Sequence, residues 1–287
     1  MKKYLKRILS ISLISLFFFK VEKAQSIVPY YYLPSEKNLQ KEGLNIARNA
    51  YQLLYFGQYE DSLNLAKLAV KINAKNEKLW LILSEAQLAN KLHKKALESL
   101  DKAEDINSNI SEIYFAKGKI YLQISQPNKA KIALEKGLII EPNNYQAIFQ
   151  LGNISLIEKN FSKAINLFDK SVKIKSDFWP AINNKGLAYF EINKINLAIK
   201  LFEEAISFQE NAEPLLGLAS CLRIKDIKLA IQLAKKALAK DPNYVSYEYR
   251  KEQLWGEKLQ TSTEILLQNE QLQKDVILAK SKINLPS

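Results

Sequence analysis

The chain has 287 residues, of which 47% are hydrophobic and 25% are charged, a composition typical of a globular protein and not of a disordered one. It contains eight glycines and eight prolines, and so few helix breakers favour long helices. The formal net charge is +12, of which residues 1–26 contribute +5 through six Lys or Arg residues and one Glu. No dense run of Lys and Arg with interleaved aromatic residues follows, so we expect no nucleic-acid partner.

A single cysteine, Cys221, and a single histidine, His93, limit the chemistry of the chain. One thiol cannot form an intramolecular disulfide or a cysteine metal site, and the two residues cannot complete a Ser-His-Asp, Cys-His or His-rich metal set. We interpret His93 as a packing ring and Cys221 as a small packing residue. The sequence therefore predicts a protein that is not an enzyme and needs no cofactor or metal.

The N-terminus has the three parts of a secretory signal peptide. Residues 1–7 are basic, residues 8–19 form an apolar run, and Ala24 and Ser26 occupy the −3 and −1 positions of a cleavage after Ser26. The run is shorter than the about 20 apolar residues that span a bilayer. We therefore expect residues 1–26 to direct export to a periplasm or a thylakoid lumen.

An uncleaved N-terminal anchor is the alternative. Lys20, Glu22 and Lys23 lie between the apolar run and the cleavage position, where charges are unusual in signal peptides. On this interpretation the protein is a membrane-anchored assembly factor with the rest of the chain facing the cytosol, for example for a photosynthetic membrane complex. The basic residues 1–7 argue against this orientation, because they favour a cytosolic N-terminus with the rest of the chain outside the cytosol.

Residues 27–42 contain two prolines and the three consecutive tyrosines 30–32. We interpret the segment as an extended lead-in. Its tyrosines either rest at a membrane interface, where amphipathic rings are favoured, or pack on the structure that follows.

From residue 43 onward, the sequence repeats every 34 residues. When the units are aligned, each position of the repeat forms a column of equivalent residues. Three columns contain only small residues: Ser62, Ala96, Ala130, Ala164, Ala198; Ala50, Ser84, Gly118, Gly152, Gly186, Ser220; and Ala69, Ala103, Gly137, Ser171, Ala205. Two interleaved columns are mostly bulky: Ile46, Trp80, Tyr114, Ile148, Ile182, Leu216; and Ala66, Leu100, Leu134, Phe168, Phe202. Two helices approach closely only where their facing side chains are small, so the period predicts stacked helical hairpins that bury a continuous core.

Six units fit this register: 43–76, 77–110, 111–144, 145–178, 179–212 and 213–243. In the sixth, Ser220 and Ala230 are two residues closer in sequence than Gly186 and Ala198 of the fifth, which predicts a shortened turn between its helices. After Pro242 the pattern fails, and Thr261 with Glu264 forms a capping box that predicts a helix running to about Lys280. We expect residues 244–287 to form capping helices that close the apolar end.

These columns resemble the tetratricopeptide repeat family. The unit 111–144 matches its signature best, through Tyr114, Gly118, Tyr121, Ala130, Leu134, Gly137 and Pro142. The signature tryptophan is present only as Trp80, and the terminal proline is absent from units one, two, four and five. The resemblance covers residues 43–243 and implies an all-α fold, a right-handed superhelical α-solenoid of six hairpins. More loosely, residues 178–184 and 252–256 resemble exported repeat proteins of cyanobacteria.

In that family the first helices line a concave groove, built from the second, fifth, ninth and twelfth positions of each unit. The twelfth position is uniformly apolar here, so we assign it mainly to packing. The candidate partner-binding residues occupy the fifth and ninth positions: Tyr51, Glu85, Phe115, Lys119, Phe149, Asn153 and Asn183. Phe115 and Phe149 beside Lys119 and Asn153 suit an apolar peptide or an amphipathic helix with a polar edge, although both rings also fit a place in the core.

Some family members clamp the C-terminal carboxylate of chaperones with five Lys, Asn and Arg side chains from three consecutive units. Asn153 and Asn184 match two of the five places, and Phe149, Pro214 and Leu218 occupy the others. We therefore expect no binding of a chaperone C-terminal tail. The sequence as a whole predicts an exported, non-catalytic protein-protein interaction scaffold that helps assemble or stabilise a protein complex by holding a peptide or helix in its groove.

Overall fold

The computed structural model describes residues 35–283, and in that range the chain forms α-helices and two short 3-10 helices but no strand. The first twelve helices form six pairs: α1 Glu36–Tyr55 with α2 Tyr59–Ile72, α3 Glu77–Ala89 with α4 His93–Ile106, α5 Ser111–Gln123 with α6 Pro127–Ile140, α7 Tyr145–Ile157 with α8 Phe161–Ile174, α9 Trp179–Glu191 with α10 Ile195–Phe208, and α11 Ala212–Leu222 with α12 Ile227–Lys240. The predicted all-α solenoid of six hairpins is confirmed.

The small residues lie where the helices of a pair cross. Each non-glycine member of the three small columns is at most 2% exposed. In unit one the crossing is so close that the Ser62 hydroxyl donates a hydrogen bond to the Ala50 carbonyl oxygen at 2.8 Å. In unit four, a methyl group on Gly152 would lie 2.4 Å from the Phe168 ring, so only glycine fits there. The small residues of the 34-residue pattern therefore mark the places where the two helices of each unit cross.

The first helix begins earlier than the sequence predicts. Residues 36–42, assigned to an extended lead-in, belong to α1, which starts at Glu36. Ser35 starts the helix, because its hydroxyl accepts a hydrogen bond from the Asn38 amide at 3.3 Å and Glu36 adds a negative charge to the first turn. The remainder of that lead-in and the signal segment 1–26 lie outside the described residues.

The sixth unit is shorter, but the prediction of a shortened turn is wrong. Helix α11 has 11 residues where α9 has 13, and the turn after α11 is four residues long, Arg223–Asp226. The other five turns place a residue with φ between 56° and 75° at position fifteen of their units: Gly57, Lys91, Ser125, Lys159 and Asn193. The sixth turn has no such residue, so the deletion shortens the helix and changes the turn.

The C-terminal segment forms three further α-helices: α13 Tyr247–Glu252, α14 Glu257–Leu267 and α15 Gln273–Ile283, with 3-10 helices at Pro242–Val245 and Glu270–Leu272. The prediction of one helix starting at Thr261 is wrong. Thr261 lies inside α14, where its hydroxyl donates to the Glu257 carbonyl oxygen at 2.8 Å. The predicted capping partner Glu264 instead pairs with the buried guanidinium of Arg250.

In units four to six, the first helices pack against one another on one side of the solenoid. Helix α9 contacts α7 and α11, its counterparts in the neighbouring units, whereas the second helices of these three units make no comparable contact with one another. We call the side formed by the first helices the inner face. Helix α14 packs across α9 and α11 on this face, while Pro242–Val245 and α15 pack on α12 at the end of the stack. Only part of the C-terminal segment is therefore a terminal cap.

None of the helices between residues 35 and 283 is both long enough and apolar enough to cross a membrane.

Candidate functional site

Position nine of the first three units forms an exposed column on the inner face. Tyr51 on α1 is 55% exposed, and Glu85 on α3 and Lys119 on α5 are also exposed. Asn153 on α7 continues the column but is half-buried. These four predicted groove residues therefore lie on consecutive first helices, with a phenol, a carboxylate, an ammonium and an amide in sequence along the face.

Glu85 and Lys119 interact electrostatically within this column. Desolvation raises the pKa of the Glu85 carboxyl above its ordinary value, and the nearby positive charge of Lys119 partly offsets that rise. A ligand that supplies a cation or a hydrogen-bond donor to Glu85 would therefore be favoured at this point.

The two phenylalanines predicted for the groove pack mainly within their own units. The Phe115 ring lies against Gly137, where a methyl group would come within 2.4 Å of it. The Phe149 ring contacts Phe168 and Phe178, with ring centroids 5.7 and 5.2 Å away. Both side chains are half-buried. Their first role is therefore to fill the helix crossings, and only their remaining exposed edges face outward.

Asn183 was predicted to contact a partner, but the structure buries it completely. Its amide nitrogen donates to the side-chain oxygen of Asn184 at 3.0 Å, and the Asn184 amide nitrogen donates to Asn153 at 2.9 Å. These hydrogen bonds connect the first helices of units four and five. Asn183 therefore holds neighbouring repeats together and does not face an incoming ligand.

The chain's own C-terminal segment covers the inner face of units five and six. Trp255 is 4% exposed, and its indole nitrogen donates to the Glu213 carboxylate on α11 at 3.1 Å. Leu254, with φ of +66°, packs against the buried cluster that includes Leu156, Phe168 and Ala181. Because a positive φ is uncommon for leucine, this packing must offset the cost of the backbone conformation. The segment therefore covers first-helix side chains of units five and six.

The start of α14 is held by a carboxylate from unit five. Glu191, only 8% exposed, accepts hydrogen bonds from the backbone amides of Leu259 at 3.0 Å and Lys258 at 3.3 Å. These amides belong to the first turn of α14, whose own preceding residue, Gly256, has no side chain to cap it. A methyl group on Gly256 would lie 2.2 Å from the Glu191 carboxyl carbon, so glycine is required for this approach.

A second carboxylate under this segment is strongly perturbed. Glu213 lies beside Trp255, Asn183 and Tyr244, and burial raises the pKa of its carboxyl to about 7. Its position at the start of a repeat gave no signal in the sequence. The residues Leu254, Trp255 and Gly256 did carry one, because an apolar residue, a tryptophan and a glycine interrupt an otherwise polar tail.

The inner face therefore has two parts. The open inner face consists of the exposed surface of α1, α3 and α5 with Asn153 of α7, and the covered inner face consists of α9 and α11 beneath residues 247–267. At their boundary, Lys159 of unit four forms an ion pair with Glu257 of α14 at 2.6 Å, with both side chains exposed. Of the predicted partner-binding residues, Tyr51, Glu85, Lys119 and Asn153 lie on the open inner face.

The remaining chemically notable residues are structural in this arrangement. Cys221 is 6% exposed within the core of unit six, and burial raises the pKa of its thiol to about 12, which leaves it protonated at neutral pH. His93 is the first residue of α4 and is half-buried. Between residues 35 and 283, no group of three or more His, Cys, Asp or Glu side chains is placed to hold a metal ion.

Comparison with known proteins agrees with this architecture. The family model of the tetratricopeptide repeat matches residues 111–144, 145–178 and 180–211. A search of curated protein sequences finds no match to the chain.

Solved structures with a similar fold include three repeat proteins. The MamA protein is 23% identical over 61% of this chain and 93% of its own, with a TM-score of 0.52. PilW, a type IV pilus biogenesis factor, is 21% identical over 76% of this chain and 97% of its own, with a TM-score of 0.61. YrrB, a repeat protein with an unusual peptide-binding site, is 17% identical over 67% of this chain and 98% of its own, with a TM-score of 0.50.

Residues 111–211 therefore carry tetratricopeptide repeats, and the helix pairs on either side of them have the same arrangement.

Proposed function

We propose that this protein is an exported, non-catalytic interaction scaffold that helps assemble or stabilise a protein complex by holding a peptide or helix on its open inner face. The observation that carries the proposal is the column Tyr51, Glu85 and Lys119, which stays exposed while the chain's own C-terminal segment covers the rest of the inner face. A surface that the protein leaves uncovered, with both apolar and charged side chains, suits a partner segment.

The internal packing of the covered inner face supports this assignment of the binding surface. There, the Trp255 indole donates to Glu213, Leu254 packs against the buried cluster that includes Leu156 and Ala181, and Glu191 caps the first turn of α14. The same class of surface can therefore hold a chain segment through apolar contacts and carboxylates. PilW and YrrB share the fold, and biogenesis and peptide binding are properties named for those proteins.

The proposed partner is a protein and neither a nucleic acid nor a chaperone tail. The carboxylate of Glu85 lies within the open inner face, where it would repel a phosphate backbone or a terminal carboxylate. Asn153 and Asn184, the two residues that match the clamp for chaperone tails, hydrogen-bond to each other. Their amides are therefore already partnered within the protein.

Export is proposed from the sequence of residues 1–26 alone, and its alternative is a membrane anchor formed by the same residues. The mass of the mature protein separates them. Cleavage after Ser26 leaves a chain that begins at Ile27 and fractionates with soluble exported proteins. An intact N-terminus in the membrane fraction would establish the anchored assembly factor instead.

Charge reversal on the open inner face tests the binding surface. The full chain is used for affinity capture with the substitutions Glu85→Lys and Lys119→Glu, and with the matched control Lys67→Glu on the exposed surface of α2. All three residues are exposed, so each variant keeps the fold. A partner lost in both inner-face variants and retained with Lys67→Glu supports the proposal. Equal capture by all variants contradicts it.

A further inference from the structure

Unit one carries a row of exposed apolar and basic side chains along its first helix. Lys41, Leu44, Arg48, Tyr51 and Tyr55 are spaced three or four residues apart along α1, which places them on one side of the helix. We call these five residues the unit-one stripe. Tyr51 belongs to the position-nine column, so the stripe lies on the open inner face.

The apolar members of the stripe are unusually exposed. Leu44, Tyr51 and Tyr55 are 39%, 55% and 83% exposed, and Phe56, 73% exposed, packs edge-on against Tyr55 with ring centroids 5.5 Å apart. Exposed aromatic side chains grouped in this way mark an interaction surface, because tyrosine gives a large contact area at a low cost in side-chain entropy.

The stripe is also positively charged. Lys41 and Arg48 are exposed, and neither forms an ion pair with any residue in the described range 35–283. None of the five residues is acidic, and Glu42, the nearest carboxylate along the helix, points about 100° away from Lys41. Two cations that lack carboxylate partners among residues 35–283 therefore lie on either side of the exposed Leu44, and the two tyrosines follow along the helix.

We propose that the unit-one stripe binds an acidic amphipathic segment of the partner protein, an inference that rests on the proposed scaffold function. Apolar side chains of the segment lie on Leu44, Tyr51 and Tyr55, and its carboxylates pair with Lys41 and Arg48. Charge complementarity selects an acidic segment over a basic one. Glu85, at position nine of the next unit, limits the acidic part to unit one and disfavours a continuous anionic membrane surface.

Binding of a designed peptide to the full chain tests this inference. The probe is a labelled synthetic amphipathic helix with leucines on one face and glutamates elsewhere, and its counterpart carries lysine in place of every glutamate. We expect the glutamate peptide to bind, and its affinity to fall with salt. The double substitution Lys41→Glu with Arg48→Glu should lower the affinity about tenfold.

Two further variants separate a specific site from a general effect. Tyr51→Ser with Tyr55→Ser should also weaken binding about tenfold through lost aromatic contact, without unfolding, because both rings are exposed. The matched control, Lys67→Glu with Lys95→Glu, makes the same charge change on exposed lysines of the second helices α2 and α4 and should change the affinity less than about twofold.

Four outcomes would overturn the inference, and the last of them leaves the proposed function intact. The first is binding of the lysine peptide at least as tight as that of the glutamate peptide, and the second is an equal loss in the control variant. The third is that the protein floats with vesicles of anionic phospholipid, loses this flotation when the stripe is substituted, and does not bind the glutamate peptide. This result would show that the stripe binds a membrane surface. If the stripe substitutions have no effect but partner capture still depends on Glu85 and Lys119, this inference fails while the proposed function stands.

Discussion

Glu213 should make the stability of the protein depend on pH between about 4.5 and 7. Its carboxyl lies under Trp255, and burial raises its pKa from 4.5 to about 7. Because the pKa is higher in the folded chain than in the unfolded chain, the protonated form stabilises the fold. This contribution is fully present below about pH 4.5 and is lost as the pH rises through about 7.

The size of the effect follows from the shift. At about 1.4 kcal/mol per pKa unit, a rise from 4.5 to about 7 corresponds to about 3 kcal/mol of unfolding free energy between acid and alkaline conditions. The substitution Glu213→Gln keeps an oxygen that accepts from the Trp255 indole but removes the titration. The variant should therefore be more stable than the parent chain above pH 7, by up to about 3 kcal/mol.

Urea unfolding at several pH values between 4.5 and 8.5 measures this difference, because each curve gives an unfolding free energy by linear extrapolation. The parent chain is compared with Glu213→Gln at each pH, which removes the contribution of all other titrating groups. Glu203→Gln, on an exposed position of α10, is the control and should leave the pH dependence unchanged. A stability difference between the parent and Glu213→Gln that is the same at every pH would refute the reasoning.

Three substitutions in and near the C-terminal segment have separate expectations, each checked by thermal or urea unfolding. Gly256→Ala should destabilise the protein by about 2 kcal/mol or more, because its methyl group would meet the Glu191 carboxyl at 2.2 Å; a neutral result would contradict the close approach. Glu191→Ala should lower the free energy of unfolding by about 1 kcal/mol, because α14 loses its cap. An unchanged midpoint of the unfolding transition would show that the cap is dispensable. Trp255→Ala should lower the free energy of unfolding by about 3–5 kcal/mol, because it removes a buried ring. Phe56→Ala, at an exposed position, should lower it by less than about 0.5 kcal/mol, and equal effects would contradict the burial of Trp255.

The repeat architecture could be predicted from the sequence because each helix crossing imposes the same steric demand every 34 residues. Residues such as Gly152 and Ser62 are small because the two helices of their unit approach closely at these positions. The start of α1 was misplaced because the repeat register begins at Gly43, whereas the helix begins where Ser35 caps it. The shortened unit was recognised, but the sequence distance between Ser220 and Ala230 does not say whether a helix or a turn lost the residues.

The covered inner face was not predictable from the repeat pattern, because its contacts join residues far apart in the sequence. Glu191 and Leu259 are 68 residues apart, and nothing local marks Glu191 as a cap for a later helix. Asn183 occupies a family groove position, yet it is buried and hydrogen-bonds to Asn184 of its own helix. Position within a repeat predicts which way a side chain points, but not what covers it.

Site-specific photo-crosslinking in cells tests the central claim, the division of the inner face, most directly. A crosslinking amino acid is placed in the full chain at Tyr51, Glu85 or Lys119 on the open inner face, and at Lys67 or Lys163 on exposed surfaces of second helices. We expect the three inner-face positions to capture the same partner protein and the two outer positions to capture none. Capture of that partner from Lys67 or Lys163 but not from the inner-face positions would contradict the account.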